Sequence, residues 1–459
     1  AGYAGHPTLA TPALDQLAAE GLVFSRAYCQ NPVCAASRAC LMTGAYSRDH
    51  GVYDNRHLLD GRLPTFPATL SEAGYRTAVI GKTHFNGEQY QGFQERPYGD
   101  LLGQAHQPDP ARRPDRGESG LGGVVPPAGP SGIPLPLTQT EICVAEAAKW
   151  LQIHADTRAD EPFCLSVHFD KPHFPLCPPA SFFARHDGKV RLPDVPDGLP
   201  EQDVAFVQAA IRNNGEPDPR RLDRAAHERA LAAYYGCIEW VDDAIGRILA
   251  TLDYLDLREN TLVIYSSDHG EMAGERGTWQ KTLFFDASAR VPLLVRWPAG
   301  IAQPKQVDDL VGLIDWYPTF CNLAGVATPT SCRGVSLLPS FQGESLARDA
   351  IFSESVVLGE PEHAGCMLRT DRWKFNRYLN GQEELYDLST DPAELINRVN
   401  DPDVATVRDQ LRPKVDAFWE PAHQRARYEA HPRAPQAKHT YPFSNQFTLG
   451  DGSLSDARP

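Results

Sequence analysis

Several short stretches of this chain carry residues able to do chemistry on an anion. "NPVCAASRACLMTG" sets a thiol, Cys34, four residues ahead of a fixed cation, Arg38, at the start of an apolar helical run. That spacing puts both on one helical face, with the thiol at the positive helix end, where a thiolate is favoured. "TAVIGKTHF" ends in Lys82 and His84, and "FCLSVHFDKPHFP" in His168, Lys171 and His173. "TLVIYSSDHG" ends in Asp268 and His269, and Lys281 follows in "GTWQKTLFF". A carboxylate beside an imidazole suits a divalent cation; the competing reading of Asp268 is a helix N-cap with a neighbouring histidine. A lone histidine after a strand is more often a structural hydrogen-bonder. Three reactive strand ends together are what point to a site, because ligands of open α/β sheets bind beyond the carboxyl ends of the strands.

The elements that must position these groups are legible from periodicity. "TPALDQLAAE" reads as a helix with Thr11 as N-cap and Pro12 in the first turn, and "LVFSRAYC" as a strand running toward Cys34. Short apolar strands end at Ile80 and Phe169, "NTLVIYSSDHG" and "VPLLVRWP" are others, and long amphipathic helices cover "TEICVAEAAKWLQIHA" and "AHERALAAYYGCIEWVDDAIGRILATLDYL". The alternation predicts an α/β fold: a large, mostly parallel, doubly wound sheet flanked by helices. From about residue 350 the texture changes to a smaller antiparallel sheet. The expected division is a catalytic domain over 1–345, a C-terminal α+β subdomain over 346–420 and a polar tail over 421–459. Residues 104–138 and 186–222, rich in Pro and polar residues, read as long irregular excursions, and the loops at 86–138 and 178–222 are expected to shape the substrate pocket.

With 459 residues and a net charge of −15, the chain can build a large core and argues against nucleic-acid binding. Any anion site must therefore be made locally. Ten scattered cysteines without a CxxC pair read as mostly reduced thiols, and no apolar run reaches the length of a membrane span. These features predict a cytoplasmic protein with no membrane partner. Because the chain starts as if mid-fold, a periplasmic or secreted location stays open.

Taken together, these residues resemble the sulfatases of the alkaline-phosphatase superfamily. Cys34 to Arg38 and the following "ACLMTG" look like the family's C-x-P-x-R signature. The resemblance runs through "GYRTAVIGKTHF", "KPHFP", "VIYSSDHGEMAGERG", "VPLLVRWP", "DWYPTF" and "ELYDLSTDPAE", over roughly residues 2–400. It implies hydrolysis of a sulfate ester by a formylglycine that a formylglycine-generating enzyme makes from Cys34. One hydroxyl of the hydrated aldehyde attacks sulfur, and loss of a proton from the second then releases sulfate. By the same resemblance, Asp268 and His269 are ligands of a divalent metal, Ca2+ by default with Mn2+ or Zn2+ open. Arg38 anchors the diol and the metal-side carboxylates, Lys82 contacts diol and sulfate, and His84 deprotonates the second hydroxyl. His173 binds sulfate and protonates the leaving oxygen, Lys281 holds a sulfate oxygen, and Asn55, closing "HGVYDN", lines the site.

Two departures from the family pattern bear on this. Ala36 stands where the family usually has proline, which bears on the conversion of Cys34. The strand that carries a pair of metal-binding aspartates in the family would precede residue 1. Two other readings are weighed: a phosphonate or phosphate ester hydrolase of the same superfamily, and a non-catalytic anion-binding homologue in which Cys34 stays a thiol. The substrate alcohol is a small molecule or carbohydrate. Arg112, Arg113 and Arg116 could meet a second acidic group on it, and the aromatic tail suggests a homo-oligomer.

Overall fold

The computed structural model describes residues 1–85, 90–100, 128–199, 202–213, 219–301 and 303–431, and, as backbone, two short strands at 446–448 and 454–456. Arg112, Arg113 and Arg116 lie outside the described residues. The fold is α/β, with twelve strands before residue 400 among the described residues, in chain order β1 (Leu22–Tyr28), β2 (Arg76–Lys82), β3 (Glu95–Asp100), β4 (Phe163–His168), β5 (Val263–Ser266), β6 (Arg290–Val291), β7 (Leu293–Arg296), β8 (Lys305–Gly312), β9 (Ala350–Val357), β10 (Glu360–Thr370), β11 (Trp373–Tyr378) and β12 (Glu383–Asp387).

β2 is buried along its whole length, with Val79 in one apolar cluster and Ala78 and Ile80 in another. It pairs in parallel with β3 on one side and β4 on the other. A five-stranded sheet is built around β1, which pairs in parallel with β8 and antiparallel with β6 and β7; β7 in turn pairs antiparallel with β5. The parallel expectation thus holds for β2 to β4 and for β1 with β8, whereas "VPLLVRWP" runs antiparallel. The segment between β5 and β6, which carries Asp268, His269 and Lys281, holds only a 3-10 turn and a one-turn helix rather than a long helical crossover, so nothing obliges the next strands to enter from the same end. β9 to β12 form the expected antiparallel sheet, in the order β12-β11-β10-β9.

Helix α1 (Pro12–Glu20) begins where Thr11 and Pro12 place it, but the Thr11 hydroxyl does not cap it. Thr11 Oγ1 is turned to Asp15 and the amide of Gly2. The free first-turn amides of Ala13 and Leu14 donate instead to Asp242, at 3.1 and 2.8 Å, from the long Arg224–Tyr254 helix. That helix also holds the Gln139–Thr157 helix, whose Glu141 accepts from Trp240 Nε1 at 3.0 Å and from both ends of the Arg247 guanidinium. Residues 421–430, taken from sequence as the start of a tail, form a helix whose Tyr428 is 1% exposed.

One apolar cluster joins Tyr28, Phe206 and Phe284 to Met367, Tyr378 and Tyr386, so the core runs across the boundary near residue 345. A second joins Tyr53 to β10, β11 and Trp419. All ten cysteines are free thiols, and no helix among the described residues is long and apolar enough to cross a membrane.

Candidate active site

Helix α2 (Cys34–Thr43) presents Cys34 as its first residue, wholly buried. Cys34 Sγ lies 3.1 Å from Nε2 of His269, which arrives from the loop after β5. Nδ1 of His269 donates to the carbonyl of Gly270 at 2.7 Å, which leaves Nε2 bare and turned toward the thiol. One turn along α2, Arg38 Nε donates to Asp268 Oδ2 at 2.9 Å, and Ser37 Oγ donates to the Asp268 carbonyl. The Cys34 thiol, the Asp268 carboxylate and the His269 ring lie close enough together to share one cation.

The β2 end is locked to the same helix. Arg38 Nη1 donates to the carbonyl of Lys82 at 2.7 Å, and His168 Nδ1 lies 2.9 Å from that carbonyl, across the β2–β4 register in which Gly81 faces His168. Gly81 makes this possible. Its φ of +94° suits glycine, and a Cβ there would sit 2.1 Å from the His168 carbonyl. On the other wall, Lys281 Nζ donates to His173 Nε2 at 3.1 Å, and His173 Nδ1 lies 2.7 Å from the Phe174 carbonyl. The Phe174 ring stacks on His173 with centroids 4.0 Å apart, and Lys281 Nζ stands 4.7 Å from its centre. Asn55 Oδ1 accepts from the amide of Ala35 at 3.0 Å, one residue past Cys34.

The charges are arranged around the thiol. Burial by itself would raise Cys34, but Lys281, Lys82 and His269, with a hydrogen bond from His173, overcome it and bring the thiol well below its ordinary value. Burial, followed by the Lys281 and Lys82 charges, pushes His173 well below the usual histidine range. Burial also works against a charged His269, yet Asp268 and Cys34 raise it. Burial and then the nearby Arg38 lower Lys82, with Cys34 pulling the other way. Asp268 is held low by Arg38 and His269 against its burial. Two histidines in one site are thereby driven in opposite directions.

Seven of the nine site residues expected from sequence are joined by these contacts. Asn55 reaches the helix start, and His84 makes no hydrogen bond to any of them. His84 sits at φ +54° two residues beyond Lys82, with a buried, unpartnered Nδ1. Lys171 is spent on structure: it pairs with Asp170 at 3.0 Å and donates to the carbonyls of His173 and Pro175. Sequence reasoning missed Ser37 and Glu271. Half-buried Glu271 accepts from the amides of Ala273 and Gln280 and so fixes the loop that delivers Lys281. Its position three residues past Asp268 was the available signal. His168 was visible as a strand end but not as the partner of Lys82. A cavity of about 890 Å3 lined by Gly270, Glu271, Tyr234 and Arg290 contains none of the reactive side chains, so chemistry rather than cavity size locates the site.

Comparison with known proteins agrees with this geometry. A family model described as "Sulfatase" matches residues 1–326, and one described as "N-sulphoglucosamine sulphohydrolase, C-terminal" matches residues 274–420. The choline-sulfatase of Rhizobium meliloti (strain 1021) is 31% identical over 411 residues, covering 86% of this chain and 78% of that protein. Among solved structures, a phosphonate monoester hydrolase from Silicibacter pomeroyi superposes with a TM-score of 0.77 at 23% identity, over 90% of each chain. A protein in complex with its substrate D-glucosamine-2-N,6-O-disulfate superposes with a TM-score of 0.73 at 23% identity, over 95% of this chain and 96% of that one. At that identity these two likenesses speak to the fold alone, whereas the family model covers most of the chain. With Cys34 and Arg38 at the helix start and the Asp268–His269 pair facing them, the chain belongs to the sulfatase family and is a sulfuric ester hydrolase.

Proposed function

We propose that the site cleaves its sulfate ester with a formylglycine made from Cys34, assisted by a divalent cation, Ca2+ before Mn2+ or Zn2+, held by Asp268 and His269. One observation carries this reading: two independent walls, His269 with Asp268 and His173 with Lys281, converge on the buried Cys34. The donor set fits a cation, because the His269 tautomer turns a bare Nε2 inward and Arg38 orients the neighbouring carboxylate. When bound, the cation would neutralise sulfate oxygens and make a hydroxyl easier to deprotonate. When formed, the formylglycine supplies a hydrated aldehyde hydroxyl as nucleophile where Sγ now stands.

The chain's own residues do the remaining work. Lys82 and Lys281 hold sulfate oxygens, and fixed cations around a dianion supply a large part of the rate. Arg38 ties α2, β2 and the Asp268 loop into one rigid unit. His173, whose Nε2 accepts from Lys281, gains a proton when the anionic ester offsets the lysine charges and hands it to the leaving alcohol oxygen. His84, with its unpartnered Nδ1, accepts the proton whose removal frees sulfate. Maturation calls for a formylglycine-generating enzyme. The relatives' names, choline-sulfatase and a disulfated glucosamine complex, support a small polar or carbohydrate alcohol.

Mass analysis of the peptide around Cys34 tests the reading: a loss of about 18 Da relative to the thiol is expected. Full retention of the thiol would leave a non-catalytic anion-binding homologue. The phosphonate monoester hydrolase likeness favours a second reading, since one tetrahedral anion replaces another at the same cations. Turnover of an aryl sulfate faster than a phosphonate monoester is expected; the reverse order would favour the second reading.

A further inference from the structure

Helix α2 starts without a cap of its own. Val33 stands at the N-cap position with no side-chain acceptor, so the first-turn amides need a partner from elsewhere. The amide of Ala35 finds it in Asn55, twenty residues on in sequence. The question is then what holds Asn55, since a cap is only as good as the loop that carries it.

The preceding residue, Asp54, is wholly buried and heavily engaged. Its Oδ1 accepts from the Arg56 amide at 2.8 Å and lies 3.0 Å from His57 Nδ1. Its Oδ2 accepts from the Tyr428 hydroxyl at 2.6 Å, from Arg56 Nη2 at 3.0 Å and Nε at 3.3 Å, and from the Gly359 amide at 3.4 Å. Tyr428 comes from the Pro421–Ala430 helix, and its hydroxyl also meets the Arg56 guanidinium. The Tyr428 ring packs edge-on against His57, with centroids 4.6 Å apart, and its carbonyl lies 3.3 Å from His57 Nε2. Just past the helix, His431 Nδ1 lies 2.7 Å from Arg62 Nη2. These contacts from the helix and the residue after it grip the loop in which Asn55 caps α2.

We propose that Asp54 and Tyr428 are positioning residues for the nucleophile: the C-terminal helix, through the buried Tyr428–Asp54 hydrogen bond, fixes the Asn55 cap on the helix that begins at Cys34. Neither residue touches substrate. The geometric part stands on contacts alone; its catalytic consequence rests on the function proposed above.

The test uses the full chain and Tyr428→Phe, which keeps the ring against His57 and removes only the hydroxyl. Hydrogen exchange read by mass on peptides spanning residues 33–43 is expected to speed up at the first turn of α2 by about five- to tenfold, the worth of one buried hydrogen bond. On an aryl sulfate, kcat falls by a similar factor while KM stays within about twofold. Adding Tyr428→Phe to Asn55→Ala brings no further loss, because both act through the same cap. Asp54→Asn, a near-isosteric change, serves as a second variant and gives the same exchange signature. Unchanged exchange at the start of α2 in both variants, or additive losses with Asn55→Ala, overturns the proposal even if the unfolding midpoint drops. Faster exchange in a protein that never turns over a sulfate ester upholds the clasp and sinks the functional reading instead.

Discussion

At the scale of single residues, the site works by opposed electrostatic environments. His173 is driven down by burial and by two lysines, while His269, equally enclosed, is raised by Asp268 and Cys34. The first, in the role proposed for it, takes up a proton only once an anion offsets the two lysines, and then gives it to a departing oxygen. His173→Ala should therefore slow esters with poor leaving groups by roughly 10²-fold or more and good ones far less. Equal losses across a leaving-group series would remove it as the acid. Stripping divalent ions with a chelator should abolish turnover, and Ca2+ should restore it better than Mn2+ or Zn2+; activity unaffected by the chelator would exclude Asp268 and His269 as ligands of a required metal. These residues were legible in the sequence because each sits where an apolar run breaks off into a reactive group. Glu271 and Ser37 were not, since they act through backbone groups of other segments, and no local pattern announces that.

At the scale of elements, two helices borrow their caps. α1 takes Asp242 from a helix more than two hundred residues away, and α2 takes Asn55. Thr11 and Val33, read locally, gave no hint of either: a capping side chain needs only to be near in space. β2 shows the converse, a strand whose close approach depends on one missing Cβ. Gly81→Ala should destabilise the protein by about 3 kcal/mol or more, because it combines a strained backbone with a clash against the His168 carbonyl. Chemical denaturation would measure it. A loss below about 1 kcal/mol would mean that the β2–β4 register yields more easily than this geometry implies.

At the scale of the whole molecule, the C-terminal sheet is bound into the catalytic core. Glu354 on β9 is buried, accepts at 3.2 Å from the amide of Arg48 in the short Ser47–His50 helix, and leaves Oε1 without a partner. Burial pushes its carboxyl up to about 7, only partly offset by Arg48. A carboxyl raised in the folded state binds its proton more tightly there than when unfolded. Its stabilising contribution is full below the unfolded value near 4.5 and is lost as pH rises through about 7. Glu354→Gln should flatten that decline, leaving the variant more stable than the parent at pH 8 by a margin on the order of 3 kcal/mol. Unfolding midpoints from pH 5 to 8 would test the sign, and a variant less stable at the upper end would refute it. Lys374 behaves differently: wholly buried, it is paired with both Asp286 and Glu394 at 2.6 Å and fastens β11 to the loop behind Lys281.

The sequence by itself determined the class of fold, most of the reactive groups and the strands that carry them, but not β3, β6 or β8. Period, strand-end chemistry and helix starts are properties of neighbouring residues. Only the tertiary structure decided which strand ends meet, that "VPLLVRWP" runs antiparallel, and that Lys171 serves structure rather than substrate. It alone showed that the start of α2 is capped by a loop pinned from residue 428. The physical reason is the same in each case. Hydrogen bonds and charges satisfy one another through space, and the partner of a buried group is chosen by packing, which a linear pattern of residue types does not encode.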